Sequence, residues 1–196
     1  MSNMSPEPTQ LSVPTVRSKT RKIAAPCILL AVFAMVFLGI RWSAHHSSNP
    51  PLNAFAAKGR EAPNFALSTP EGNIVRLADF RGRAVLINFF GTTCVPCRQE
   101  SPYLVEMQKK NAAKGFEIIG IEMYGSSNND IKKFRGDFGT NYVMVRGDNT
   151  VGDQYGVGEL PVSYFLNARG TIVAATVGLR PEKEMDDHLE AALRGD

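Results

Sequence analysis

Cysteine is scarce in this chain of 196 residues, which contains only three. Cys94 and Cys97 stand three positions apart, and Cys27 lies far upstream in an apolar run. So few cysteines exclude the disulfide framework that stabilises small secreted domains. The close pair is therefore predicted to be catalytic or metal-binding, whereas Cys27 is interpreted as a small apolar residue that packs among its neighbours.

Histidine is equally rare. The three histidines are His45, His46 and His188, and none stands in a metal-ligand motif. A structural zinc site takes four ligands, and the sequence has no second pair of cysteines at the Cys-x-x-Cys spacing. We therefore predict redox chemistry for Cys94 and Cys97, with no metal and no cofactor. The adjacent His45 and His46 are interpreted as part of a solvated linker.

The chain also lacks a basic surplus where a nucleic-acid-binding domain would need one. Its formal net charge is +3. The residues up to Ala57 carry five basic side chains and one acidic one, which leaves a net charge of −1 for the remainder. The basic surplus therefore belongs to the N-terminal part, and no nucleic-acid partner is predicted.

Charged residues are absent from residues 23–40, and a basic cluster at residues 17–22 precedes them. As a helix, residues 23–40 would span about 27 Å, close to the roughly 30 Å of a bilayer's hydrocarbon core. Because basic flanking residues stay on the cytoplasmic side, the rest of the chain is predicted to lie outside the cytoplasm, held at the inner membrane by a single-pass anchor.

The predicted organisation has four parts: a disordered cytoplasmic N-terminus (1–22), a transmembrane anchor (23–42), a periplasmic linker (43–58) and a folded domain (59–196). The alternative to the anchor is a cleaved signal peptide, since Ala54-Phe55-Ala56 matches the small-residue pattern of a cleavage site. That pattern lies far beyond the apolar run, which favours the uncleaved anchor.

The central pattern of the domain spans residues 84–102. Residues 84–90 are apolar and rich in β-branched and aromatic side chains, which predicts a buried strand. Gly91-Thr92-Thr93 interrupts this run, and a helix is predicted over residues 95–114. Cysteines at the start of a helix suit reversible disulfide chemistry, because the free N–H groups and the positive end of the helix dipole favour a thiolate at Cys94.

Strands and helices are predicted to alternate through the rest of the domain. Further strands are predicted at residues 73–77, 116–123, 142–145, 162–166 and 171–177. Further helices are predicted at residues 128–138, at residues 150–155 and from Pro181 onward, with a helical turn within residues 77–82. This order predicts an α/β fold in which a central mixed sheet is flanked by helices on both faces.

Cys94-Val95-Pro96-Cys97 after a buried strand, with Leu160-Pro161 far downstream, resembles the thioredoxin superfamily. The sequence is most similar to the membrane-anchored ResA/TlpA/CcmG (DsbE) branch of thiol-disulfide oxidoreductases, which implies a thioredoxin-like fold over roughly residues 59–193. The residues that match this branch are Ala62-Pro63-Asn64-Phe65, Asn88-Phe89-Phe90-Gly91, Cys94-Val95-Pro96-Cys97, Glu100, Pro102 and Asn167-Ala168-Arg169-Gly170.

Cys94 is the predicted nucleophile and Cys97 the resolving thiol. The resemblance implies a cis peptide bond before Pro161, which would present the backbone of Leu160 to an extended substrate segment. Thr93 stands where relatives usually carry tryptophan, so we expect a more open mouth and include Thr93 among the substrate-binding residues.

Glu100 follows Cys97 by about one helical turn, and the related proteins place an acid at this position. Its carboxylate would raise the pKa of the thiols and relay a proton. Asn88 occupies the strand position where cytoplasmic thioredoxins carry a buried aspartate, which strengthens the case for Glu100. Glu122, at the end of an apolar strand, is a second candidate for this role.

The two residues between the cysteines predict the direction of electron flow. Val95 and Pro96 include no histidine to stabilise a thiolate, which favours a reductant over an oxidant. The resemblance implies that a membrane thiol reductase of the DsbD/CcdA kind recharges it. By the same analogy, its protein clients are the haem-attachment cysteines of apocytochromes c or a copper-site assembly protein.

The sequence fits two other functional classes less well. A thiol peroxidase would want a threonine three residues before its nucleophile and a proline seven before, where this sequence has Gly91 and Ile87. A copper chaperone of the Sco kind would need a Cys-x-x-x-Cys spacing and a distant histidine on a loop, and the cysteine spacing here is different.

Overall fold

The computed structural model describes Met35 and residues 52–195. The chain divides into two units, residues 1–48 and residues 49–196, and the domain described below belongs to the second. The predicted cytoplasmic segment, most of the linker and, apart from Met35, the predicted anchor lie outside the described residues. Among the residues that are described, no helix combines the length and the apolar character that crossing a bilayer requires.

The domain alternates strands and helices along the chain. Its strands are β1 (Ala66–Ser68), β2 (Ile74–Arg76), β3 (Ala84–Phe90), β4 (Phe116–Glu122), β5 (Val143–Arg146), β6 (Val162–Leu166) and β7 (Ile172–Val177). Its helices are α1 (Val95–Asn111), α2 (Asn128–Phe138), α3 (Asn149–Tyr155) and α4 (Glu182–Arg194). Short 3-10 turns occur at Ala54–Ala56, Leu77–Phe80 and Ala112–Lys114.

Strands β3 to β7 form one mixed sheet in the order β5-β4-β3-β6-β7, and β1 and β2 form a separate antiparallel pair. The central strand β3 runs parallel to β4 and antiparallel to β6. This confirms the predicted α/β fold and each predicted strand and helix, with ends that shift by up to three residues. Strand β1 was not predicted, because its three residues are too few to show an alternating pattern.

The sheet separates two apolar clusters, because side chains alternate between its faces along each strand. Val85, Ile87 and Phe89 of β3 join one cluster, which includes Tyr155 of α3. Leu86 and Phe90 join the other, which is covered by residues of α1, α2 and α4 and includes both cysteines of the pair. By the same alternation, Asn88 points to the face covered by α1.

The parallel strands β3 and β4 end at the same edge of the sheet, as parallel strands must. The N–H of Met123, just after β4, donates to the carbonyl of Phe90 at the end of β3 at 2.9 Å. The loop after β3, which leads to Cys94, therefore lies beside the loop after β4. The carboxyl ends of strands are where sites in α/β sheets usually form.

Candidate active site

The cysteine pair forms a disulfide at the start of α1, with an S–S distance of 2.08 Å and Cα atoms 5.3 Å apart. Cys94 is the N-cap residue of α1, and the N–H of Cys97 donates to its Sγ at 3.3 Å. Cys94 is 7% exposed and Cys97 2% exposed. Cys94 is thus the more exposed cysteine of a buried pair and caps the helix, which is consistent with its predicted role as the nucleophile.

The peptide bond between Leu160 and Pro161 is cis, as predicted. Leu160 is half-buried and packs against both apolar clusters, the second of which contains the cysteine pair. Thr93 is exposed directly before Cys94. Thr93 thus lies next to Cys94 in the chain, and Leu160 packs against the apolar cluster that contains both cysteines. Their role in substrate binding, and that of Pro161, stays a prediction.

Glu100 is buried in α1, with 4% exposure. Its Oε2 accepts a hydrogen bond from Nδ2 of Asn88 at 3.0 Å, and the same nitrogen donates to Oγ of Ser163 at 3.1 Å. Burial raises the pKa of Glu100 to about 7, against the opposing effect of the Asn88 hydrogen bond. A carboxyl with this pKa can accept and release a proton near neutral pH.

The sequence indicates only part of the surroundings of Glu100. It points to Asn88 but not to Ser163, although Ser163 interrupts the apolar strand β6 and is the cross-strand partner of Asn88. Burial, and next the negative charge of Glu100, raise the pKa of Tyr142. Nothing in the sequence around Tyr142 distinguishes it from a core tyrosine.

Glu122 makes a different set of contacts. It is 1% exposed, and its carboxylate accepts hydrogen bonds from the N–H of Tyr124 at 3.1 Å and from Ser126, through its N–H at 3.0 Å and its hydroxyl at 2.7 Å. These bonds all go to the loop after β4. Glu100, on the helix that begins with the disulfide, is therefore the better candidate for the acid that tunes the thiols.

The loop before Cys94 is held from two sides. Oγ1 of Thr92 lies 2.6 Å from Oγ of Ser126, and the carbonyl of Thr92 accepts a hydrogen bond from Arg98 at 3.1 Å. The guanidinium of Arg98 lies over the rings of Phe138 and Phe134, with its Cζ 4.8 and 5.8 Å from the ring centroids. Sequence reasoning missed Arg98, since a basic residue early in a helix carries no signal by itself.

The geometry bears on the two alternative functions, a thiol peroxidase and a copper chaperone. A β-carbon on Gly91 would lie 2.5 Å from Cδ2 of Tyr124, so the threonine that a peroxidase would place there has no room while this ring is in position. Within residues 52–195 and Met35, no group of three or more His, Cys, Asp or Glu side chains is arranged to hold a metal ion.

Comparison with known proteins gives a family and several relatives. The model of the AhpC/TSA family matches residues 58–175. The thiol-disulfide oxidoreductase ResA of Bacillus subtilis (strain 168) is 32% identical over 141 residues, which cover 71% of this chain and 78% of that protein. ResA of Geobacillus thermodenitrificans (strain NG80-2) is 34% identical over 136 residues, covering 69% and 78%.

A solved structure shows the same architecture. The crystal structure of a protein described as a putative thiol:disulfide interchange protein DsbE from Chlorobium tepidum superposes with a TM-score of 0.65 at 31% sequence identity. The match covers 69% of this chain and 97% of that one. The similarity therefore extends over the domain that carries the Cys94–Cys97 disulfide.

Proposed function

Because this chain belongs to the AhpC/TSA family of thioredoxin-fold proteins and is a homologue of the ResA-type thiol-disulfide oxidoreductases, we propose that it reduces protein disulfides outside the cytoplasm. The observation that carries this proposal is a disulfide at a helix N-terminus with a buried carboxyl of raised pKa in the same helix. The first feature supports exchange with another disulfide, and the second supplies a group that can move the proton.

The reaction begins with the reduced protein. The thiolate of Cys94 attacks one sulfur of the client disulfide, forming a mixed disulfide and releasing the other client sulfur as a thiolate, which takes up a proton. The N–H of Cys97, which points at Cys94 Sγ in the oxidised protein, would stabilise the attacking thiolate. A helix N-terminus favours a negative charge at this position.

Cys97 then completes the exchange. It loses its proton, and Glu100, whose pKa of about 7 suits this task, is the proposed acceptor. The Cys97 thiolate attacks Sγ of Cys94, closing the disulfide and releasing the second client sulfur as a thiolate, which is then protonated. The client gains two electrons and two protons, and the protein's dithiol becomes the disulfide. A membrane dithiol reductase of the DsbD/CcdA kind is the proposed source of the electrons that restore it.

We place this reaction on the outer side of the inner membrane, with the catalytic domain held by a helix at residues 23–42. This placement is supported by the basic cluster before the uncharged run and by the absence of charge within that run. The proposed clients are apocytochromes c, whose haem-attachment cysteines must be reduced before haem is joined, and the alternative client is a copper-site assembly protein.

Trapping the mixed disulfide tests the proposed function. In the Cys97→Ala variant, Cys94 can attack a client but no thiol can release it, so we expect disulfide-linked complexes to accumulate in cells of the source bacterium. The matched control is Cys94→Ala, which should trap none. Mass spectrometry of the linked proteins identifies the client. If they include neither a haem-attachment protein nor a copper-site protein, the proposed role in maturation is wrong.

A further inference from the structure

An aromatic side chain stands beside the active site although the three residues directly before Cys94, Gly91-Thr92-Thr93, include none. Thr93 occupies the position next to the nucleophile, and Tyr124 comes from the loop after β4. The Tyr124 ring packs against Gly91, because a β-carbon there would lie 2.5 to 2.9 Å from three of its ring atoms. The carbonyl of Gly91 in turn accepts the N–H of Cys94 at 3.1 Å.

The backbone of the loop that carries this ring is held by hydrogen bonds to Glu122. Its carboxylate accepts the N–H groups of Tyr124 and Ser126 and the hydroxyl proton of Ser126. A serine hydroxyl has one proton to give, so Ser126 accepts from the Thr92 hydroxyl, whose oxygen is 2.6 Å away. The loop after β4 is thus bonded to Glu122 on one side and to the loop before Cys94 on the other.

Tyr124 is nevertheless open to solvent. Its exposed fraction is 59%, which is high for an aromatic side chain with a fixed backbone, and Val95, directly after Cys94, is 65% exposed. Leu179 is 47% exposed and follows Gly178, whose N–H donates to the carbonyl of Pro161 at 2.8 Å. Among the side chains that the structure describes within residues 52–195, four large apolar ones are exposed, and three of them belong to the segments around Cys94, Gly91 and Pro161. Exposed apolar groups that cluster mark a contact surface.

We propose that Tyr124 contacts the client and selects for apolar side chains beside the cysteine under attack, and that Glu122 is the positioning residue that holds the ring over Gly91. The occupant is a client segment, because the disulfide that it carries must reach Cys94, which Val95 follows in the chain and whose N–H bonds to Gly91 beneath the Tyr124 ring. This inference rests on the proposed function. In this inference, Tyr124 in the loop after β4 makes the aromatic contact with the client that Thr93, which has no ring, cannot make.

The test compares two synthetic peptides that contain the same Cys-x-x-Cys disulfide, one flanked by leucines and one by glycines. The rates at which the reduced full-length protein reduces them are measured by mass spectrometry of quenched samples. Truncating a residue at the centre of a contact typically weakens binding by a factor of about five or more. For Tyr124→Ala we therefore expect the preference for the leucine peptide to fall about fivefold, and for Tyr124→Phe to keep it.

The control is Ile74→Ala, which truncates an exposed apolar side chain on the separate pair β1–β2 and should leave the preference unchanged. Glu122→Gln should lower the preference in the same direction as Tyr124→Ala. If Glu122→Gln fails to fold, Ser126→Ala removes the link to Thr92 while it retains the Glu122 carboxylate, and the same direction is expected.

Two outcomes would overturn the inference. An equal loss with both peptides in Tyr124→Ala would mean that the ring acts on Cys94 and not on the client, and an unchanged preference would mean that it does not touch the client. The proposed function fails in a different way. If the wild-type protein reduces neither peptide but oxidises their dithiols with the same dependence on Tyr124, the reductant assignment is wrong and the contact remains.

Discussion

Glu100 and Glu122 are both buried acids at the active-site end of the domain, and their partners differ. Glu100 accepts one hydrogen bond, from Asn88, and its pKa is raised to about 7 by burial. Glu122 accepts three hydrogen bonds from the loop after β4. Glu100 can therefore exchange a proton near neutral pH, whereas the contacts of Glu122 serve to hold the loop after β4.

The raised pKa of Glu100 predicts a pH-dependent stability. Between its ordinary value of 4.5 and about 7, the folded protein keeps a proton that the unfolded chain has lost, so the free energy of unfolding falls as pH rises through this window. The full effect is about 3 kcal/mol for a shift of this size. Glu100→Gln binds no proton in either state, so its stability relative to the wild type should increase from pH 4.5 to pH 7 and then stay constant.

This prediction is checked by unfolding the oxidised wild type and the variant over the same pH series. The control is Glu117→Gln. Burial also raises the pKa of Glu117, but the charge of Arg83 opposes the rise and the side chain is partly exposed, so its pH dependence should be weaker. A stability difference between Glu100→Gln and the wild type that does not change with pH would contradict the raised pKa.

At the scale of elements, the segment before the predicted domain boundary is part of the fold. Leu52 is 3% exposed, and its N–H donates to the carbonyl of Gln154 in α3 at 2.8 Å. Gly156 ends α3 at a φ of +60° and lies against the carbonyl of Leu52. A β-carbon on Gly156 would be only 2.0 Å from that carbonyl oxygen. Docking of residues 52–57 therefore requires glycine at this position.

A pair of glycines tests this docking. Gly139 ends α2 at a φ of +61° with open space around it, so Gly139→Ala meets only the cost of a left-handed backbone, about 1–2 kcal/mol. Gly156→Ala meets the same cost and also displaces Leu52, which should add about 1–3 kcal/mol. Thermal unfolding measures the difference, and hydrogen exchange at the Leu52 amide should accelerate only in Gly156→Ala. Equal costs would show that the segment is not tightly docked.

At the scale of the whole molecule, the fold should favour the disulfide over the dithiol. Both cysteines lie in the buried cluster that α1, α2 and α4 cover, and no basic side chain lies between them to stabilise a thiolate. Strong oxidants of this kind owe their potential of about −120 mV to a stabilised reduced form. Here no basic side chain between the cysteines adds to the stabilisation that the helix N-terminus gives the thiolate, which favours the proposed reductant.

We therefore expect the oxidised protein to unfold at a higher temperature than the reduced protein, and a reduction potential well below about −120 mV. Each 30 mV corresponds to about 1.4 kcal/mol, so the two measurements must agree. Equilibration with glutathione or dithiothreitol buffers gives the potential, and thermal unfolding of both forms gives the stabilities. A reduced form that is the more stable of the two would contradict the assignment as a reductant.

Much of the fold and the redox pair could be predicted from local patterns. The apolar run of β3, the glycine and threonines that end it and the Cys-x-x-Cys pair at a helix start are all contiguous, and their physical meaning does not depend on distant residues. The same holds for the helices, whose periodicity and capping residues lie within their own segments. The sequence does not predict the short strand β1, because β1 is defined by its pairing with β2 and not by a pattern in its own three residues.

The surroundings of the disulfide were decided by the sheet. Asn88 meets Ser163, 75 positions away, because β3 and β6 pair in one register and alternation turns both side chains toward α1. Tyr124 and Ser126 reach Gly91 and Thr92 because parallel β3 and β4 end together. Local spacing carries information about a strand or a helix, but which loops become neighbours depends on strand order and direction, and those arise only when the whole chain packs.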